Sequence, residues 1–132
     1  MGRIDQARRS APRKDVTPVS VSTVASLENL AKIAKGGMLT EASTTGFLLI
    51  IPREHLVPLD LRRNLSLESL VGTKILVHLT ELNLEISGRI ARTRLRGKAG
   101  FEVGVDYSDE APEYWRECLV DLLPAPGEIE ET

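Results

Sequence analysis

The sequence predicts a mainly β fold, a small antiparallel barrel with one amphipathic helix laid against it. Three observations predict it. Apolar and polar residues alternate over several short windows, as in half-buried strands. Those windows are separated by glycine- and proline-containing breaks, not by the helices of a βαβ repeat. A helical stripe follows near the carboxyl end. With 132 residues and 42% hydrophobic content, the chain fills one core but not two. Aromatic content is only 4%, so Leu, Ile and Val must build that core, with Trp115, Phe47, Phe101 and the two tyrosines as its few large anchors.

Residues 1–15 show no hydrophobic periodicity and read as a flexible basic arm, with Arg3, Arg8, Arg9, Arg13 and Lys14 set against Asp5. The barrel domain is expected over residues 16–123. Val19, Val21 and Thr23 alternate with serines after Pro18 and predict a first strand over Val16 to Val24. Ser26 can cap a short helix in which Leu27, Leu30 and Ala34 share one face, with Gly36 or Gly37 as its stop. Met38 returns to extended character, and Gly46 to Pro52 is an apolar run of strand length.

The mixed segment after Arg53 carries Pro58, and an edge strand is expected around Val57 to Leu61. Ser66 to Gly72 has room for one helical turn. Ile75, Val77 and Leu79 then alternate inward, and Leu82, Leu84, Ile86 and Ile90 continue that period, with Gly88 as the expected bend or bulge. Arg96 to Gly100 is a turn, after which Phe101, Val103 and Val105 point one way. Asp109 and Pro112 announce a helix to about Leu123, with Trp115, Cys118 or Leu119, and Leu122 on its buried stripe. Residues 124–132, with Glu128, Glu130 and Glu131, read as an acidic disordered tail.

A net charge of -2 and a pI near 5.7 argue against a DNA or RNA binder that relies on a general positive field. Cys118 is the sole cysteine, which rules out an internal disulfide and fits a reducing compartment. The basic start is followed by polar, broken sequence, not by the apolar core of a signal peptide, and no apolar run is long enough to span a bilayer. The expectation is a cytoplasmic protein without membrane insertion. His55 and His78 are scattered and lack zinc-site spacing. Without a glycine-rich phosphate loop, a nucleophile elbow or paired catalytic carboxylates, no catalytic residues, metal or cofactor are assigned, and an enzyme is not expected.

Two short signals carry chemistry. Arg9-Ser-Ala-Pro-Arg13 offers two guanidiniums, the side chain that pairs bidentately with phosphate or with guanine O6 and N7. Glu41-Ala-Ser-Thr-Thr-Gly46 leads into Phe47 to Ile51 and puts a carboxylate, a hydroxyl and a glycine at the mouth of a strand. The carboxylate can accept from guanine N1-H and N2-H, Ser43 can donate or accept, and Gly46 allows a tight turn or close backbone approach. Together they fit a ligand that carries both phosphate and a hydrogen-bonding ring. Arg89, Arg92, Arg94 and Arg96 form a basic strip on an outer strand face, read as solvated charge.

In this order, with the hairpin Leu84-Glu-Ile-Ser-Gly-Arg-Ile-Ala-Arg92 and Gly104-Val-Asp-Tyr107 following, the motifs resemble those of the PilZ domain family over roughly Arg8 to Leu123. The resemblance implies a six-stranded antiparallel barrel with a carboxy-terminal helix. It also implies binding of cyclic di-GMP by an RxxxR arm and a D/N-x-S-x-x-G element. Carried onto this chain, the ligand residues are Arg9 and Arg13, with Arg8 beside them, and Glu41, Ser43 and Gly46. The implied function is a bacterial second-messenger receptor or adaptor, as in motility control, whose arm orders on the ligand and which signals through a protein partner. The chain departs from the family pattern at Glu41, where one extra methylene moves the carboxylate by roughly 1 to 1.5 Å, and in the inserted Leu27 to Lys35 helix. These departures define the alternative, a PilZ-like interaction module that does not bind cyclic di-GMP.

Overall fold

Strand β1 (Lys14–Ser26) is long enough to serve two neighbours, and that closes the barrel. In the computed structural model, which describes residues 13–124, the lower part of β1 pairs with β3 (Gly37–Ala42) and the upper part with β5 (Lys74–Leu79). The remaining barrel strands are β4 (Gly46–Ile51), β6 (Leu84–Leu95) and β7 (Phe101–Asp106). They run in the order β1-β3-β4-β7-β6-β5, every pair is antiparallel, and β5 returns to β1. The expected fold class is therefore present, a closed six-stranded antiparallel barrel, with one extra strand, β2 (Lys32–Ala34), on β1. Pro18 has no N–H to give the ladder, and the register of β1 against β3 shifts between Asp15 and Val19. Lys14 and Asp15, expected in the arm, already pair in β1.

The alternating apolar residues read from the sequence fill the barrel. Leu39, Leu49, Ile75, Val77, Leu79 and Phe101 are fully buried. Helix α2 (Glu113–Leu122) follows Pro112 as expected and packs Trp115, Leu119 and Leu123 toward this core.

Four further expectations are corrected. No helix forms over Leu27 to Lys35. Leu27 to Asn29 make a turn, Leu30 takes a left-handed φ of 60°, and the Ser26 N–H reaches the Ala31 carbonyl at 2.9 Å. A window this short is marginal as an isolated helix, and the open edge of β1 offers ladder bonds that β2 takes. Ile33 and Ala34 are buried there, whereas Leu30, part of the expected apolar face, is 68% exposed. The short helix lies instead at α1 (Leu59–Arg63), where an edge strand was expected. Pro58 sits at its start with φ −68°, preset for a helical first turn, and Leu61 is its buried residue.

Of the expected α2 stripe, Trp115 and Leu119 pack on the core, and only its last position is shifted, from Leu122 to Leu123. Cys118 and Leu122 face solvent, while Leu119 and Leu123 are buried. The bulge in β6 falls at Ala91, not Gly88, because the register against β7 steps from Ile90↔Val105 to Arg92↔Gly104.

Candidate functional site

Four strands contribute one residue each to a row across the outside of the barrel. Glu41 on β3 faces Leu48 on β4, Leu48 faces Gly104 on β7, and Gly104 faces Arg92 on β6. Three strand spacings separate the ends, about 14 Å. Two bulges set this row. The β3–β4 register shifts between Leu39 and Glu41, and the Ala91 bulge turns Arg92 and Arg94 outward while Thr93 pairs with inward-facing Val103. A carboxylate and a guanidinium thus stand at opposite ends of an apolar floor.

The floor is nearly dry. Leu48 is 6% exposed although it lies outside the core cluster, and the Arg92 stem lies over Gly104. A Cβ at Gly104 would come within 3.0 Å of the Arg92 Cγ and Nε, so glycine here is what lets that side chain lie flat. Above the floor is a cavity of about 180 Å³ that Arg13, Glu41, Ser43, Gly46, Arg92 and Asp106 help to line. A second concavity adjoins it, reaching Thr93, Arg94 and Glu102.

The structure therefore brings Arg13, Glu41, Ser43 and Gly46 around one cavity. Arg8 and Arg9 lie outside the described residues. Arg13, the residue before β1, donates from Nη1 to Glu41 Oε1 on β3 at 3.2 Å, an ion pair with side chains 58% and 33% exposed. The two candidate ligand residues neutralise each other.

Ser43 is not presented to the cavity as a free hydroxyl. It is 4% exposed, and its Oγ accepts from the Thr45 and Gly46 N–H groups at 3.2 Å each, while its own N–H donates to the Gly46 carbonyl at 2.8 Å. Its work is to fold the loop between β3 and β4. Gly46 is needed for packing: a Cβ there would sit 2.5 Å from the Val105 carbonyl oxygen across the β4–β7 ladder.

Two groups from the carboxyl-terminal part hold this loop from beneath. Tyr107 follows β7, is fully buried, and donates its hydroxyl to the Ser43 carbonyl at 2.8 Å. Its ring meets Phe47 edge-on at 5.3 Å. Burial pushes the Tyr107 phenol up to about 12, with the nearby Arg116 charge pulling the other way. Arg116 on α2 donates Nε to the Ala111 carbonyl at 2.9 Å and Nη1 to the Thr44 carbonyl. The loop is preorganised by the core, not by a ligand.

Sequence reasoning missed Arg92, Tyr107 and Arg116. Arg92 is one of four similar arginines in the strip, and only the register separates it from Arg96, which pairs with Glu102 at 2.7 Å. Asp106 also lines the cavity, with its carboxylate accepting from the Ser108 N–H at 2.8 Å and hydroxyl at 2.6 Å. Among the described residues no group of His, Cys, Asp and Glu could hold a metal ion, and no helix is long and apolar enough to cross a membrane.

No family model and no curated protein sequence matches the chain. Among solved structures, the fold is similar to the PilZ domain of YcgR from Escherichia coli, a structure with c-di-GMP. The two are 12% identical, the match covers 88% of this chain and 91% of that one, and the TM-score is 0.51. At that identity the likeness is one of fold, and this chain has the PilZ-type barrel.

Proposed function

We propose that this chain is a cyclic di-GMP receptor, a binding and adaptor module and not an enzyme. The observation that carries the reading is the row Glu41–Leu48–Gly104–Arg92 beside Arg13, which sets an apolar floor between a carboxylate and guanidiniums. A guanine fits those terms: its flat ring covers Leu48 beside the Arg92 side chain that lies over Gly104, its N1-H and N2-H groups donate to Glu41, and its O6 and N7 edge accepts from an arginine. Arg13 and Arg92 serve the phosphodiesters, with Arg9 and Arg8 adding charge from the preceding segment.

Charge balance gives that segment its part. Arg13 and Arg92 are matched at the cavity by Glu41 and Asp106, so a doubly charged ligand gains a net attraction only when Arg8 and Arg9 join. Binding then orders the segment, and the ordering cost is offset by bidentate contacts. Ser43 and Gly46 shape the loop and Glu41 reads the base. The output is a protein contact in the bacterial cytoplasm, of the kind that serves motility control.

Titration calorimetry with cyclic di-GMP tests the reading. Heat is expected with the unmodified chain at tens of micromolar, and its loss in Arg13→Ala; a folded sample that gives no heat would refute the proposal.

A second reading is favoured by the Arg13–Glu41 ion pair, which occupies both candidate ligand groups with each other. On it the chain is a PilZ-like interaction module that does not bind cyclic di-GMP. The inserted helix no longer supports it, because that segment is a turn and β2. Glu41→Asp separates the two readings, since the shorter side chain releases Arg13. Binding that appears only in Glu41→Asp supports the second reading, and binding already present in the unmodified chain supports the first.

A further inference from the structure

The half of α2 turned away from the barrel carries two parallel ridges of opposite character. Tyr114, Cys118 and Leu122 follow one another at helical i, i+4, i+8 spacing and are all exposed, Tyr114 to 72% and Leu122 to 57%. Beside them run Glu113, Glu117 and Asp121 at the same spacing, also exposed. On the other side of the apolar ridge lies a concavity of about 280 Å³ between α2 and β6, lined in part by Trp115, Glu85 and Glu110. An apolar strip is thus bordered by Glu113, Glu117 and Asp121 on one flank and by exposed Glu85 on the other, where Glu110 is already paired with Lys74 at 3.7 Å.

We propose that this face docks a cationic amphipathic helix of a partner protein. A ridge at i+4 spacing fits the groove of another helix, and Tyr114, Leu122 and Trp115 supply its apolar contact. The flanking carboxylates select the charge. The one cation of α2, Arg116, is turned the other way, donating to the Ala111 and Thr44 carbonyls. A second copy of this face would bring like charges together, and an anionic lipid surface would be repelled by the same carboxylates. A helix with an apolar stripe edged by Lys or Arg satisfies both parts at once.

The inference rests on the helix face and not on the ligand reading. Where both apply, Arg116 links them, because the helix that offers the docking ridge also holds the Thr44 carbonyl of the candidate site loop.

The test uses the full chain in reductant and a fluorescein-labelled amphipathic peptide of leucine and lysine, about five helical turns long. A control peptide carries glutamate in place of lysine. Fluorescence anisotropy is expected to show saturable binding of the lysine peptide only, weakened at least about tenfold by Leu122→Asp and by Glu117→Lys. Both substitutions are at exposed positions, so circular dichroism and the melting midpoint should not change, and amide shifts on binding should centre on Glu113–Leu122. Several results would overturn the proposal: no saturable binding, equal binding of both peptides, or variants that bind as the parent does. Amides of residues 1–12 that move in Glu117→Lys without peptide would make the chain's own amino-terminal segment the occupant. A dimer in sedimentation that Leu122→Asp dissolves would make it a second copy.

Discussion

Replacing Tyr107 with Phe removes one oxygen atom and asks how much the candidate site loop depends on the core beneath it. The ring and its edge contact with Phe47 at 5.3 Å remain, so the change leaves no side-chain-sized cavity. What is lost is the 2.8 Å hydrogen bond to the Ser43 carbonyl, made by a residue with 0% exposure. A buried acceptor deprived of its donor costs about 1 to 3 kcal/mol, which for a domain of this size lowers the melting midpoint by roughly 3 to 12 °C.

The same oxygen sets a pH dependence. Burial raises the folded phenol to about 12 from its ordinary 10.0, so between those values the folded state keeps a proton that the unfolded chain releases. Stability from this group is therefore intact below pH 10.0 and declines as pH rises toward 12, by about 2 to 3 kcal/mol at most. Urea unfolding followed by circular dichroism at about pH 8 and about pH 11.5 measures both effects. The variant should be weaker at the lower pH and should lose less on going to the higher one. Equal stability at the lower pH, or an equal loss at the higher, would refute the account of Tyr107 as the loop's buried anchor.

Gly46→Ala forces a methyl to within 2.5 Å of the Val105 carbonyl oxygen and should lower the unfolding free energy from urea titration by about 1 to 3 kcal/mol, whereas an unchanged value would show that the β4–β7 ladder gives way easily. Arg116→Ala removes donors to the Thr44 and Ala111 carbonyls; faster amide exchange confined to residues 43–46 and the start of α2 is expected, and unaltered exchange would disconnect the helix from the loop. Arg92→Ala, at an exposed position, should stay within about 0.5 kcal/mol of the parent in stability while weakening cyclic di-GMP binding about tenfold. Calorimetry showing undiminished affinity would remove Arg92 from the proposed site.

Strands β5 and β7 are legible in the sequence because Ile75, Val77 and Leu79, and Phe101, Val103 and Val105, alternate without interruption and are buried on one side. The segment Ser26 to Lys35 is not, since Leu27, Leu30 and Ala34 have helical spacing while the open edge of β1 captures Lys32–Ala34 as β2. Helix α2 is legible in place and, at Trp115 and Leu119, in rotation, but not at its carboxyl end. Leu122 and Leu123 are equally apolar, and only the barrel surface decides that Leu123 is buried and Leu122 exposed.

The candidate site divides along the same line. By itself the sequence determined the chemistry on offer, guanidiniums near the start and a carboxylate, serine and glycine before an apolar strand, because residue types and local spacing are one-dimensional properties. Only the tertiary structure decided which of these meet. It set Arg92 at the end of the row that begins at Glu41, turned the Ser43 hydroxyl into its own loop, and paired Arg13 with Glu41. The physical reason is register: one bulged residue in β3 and one in β6 choose which side chains share a face, and that choice depends on partner strands far away in the chain.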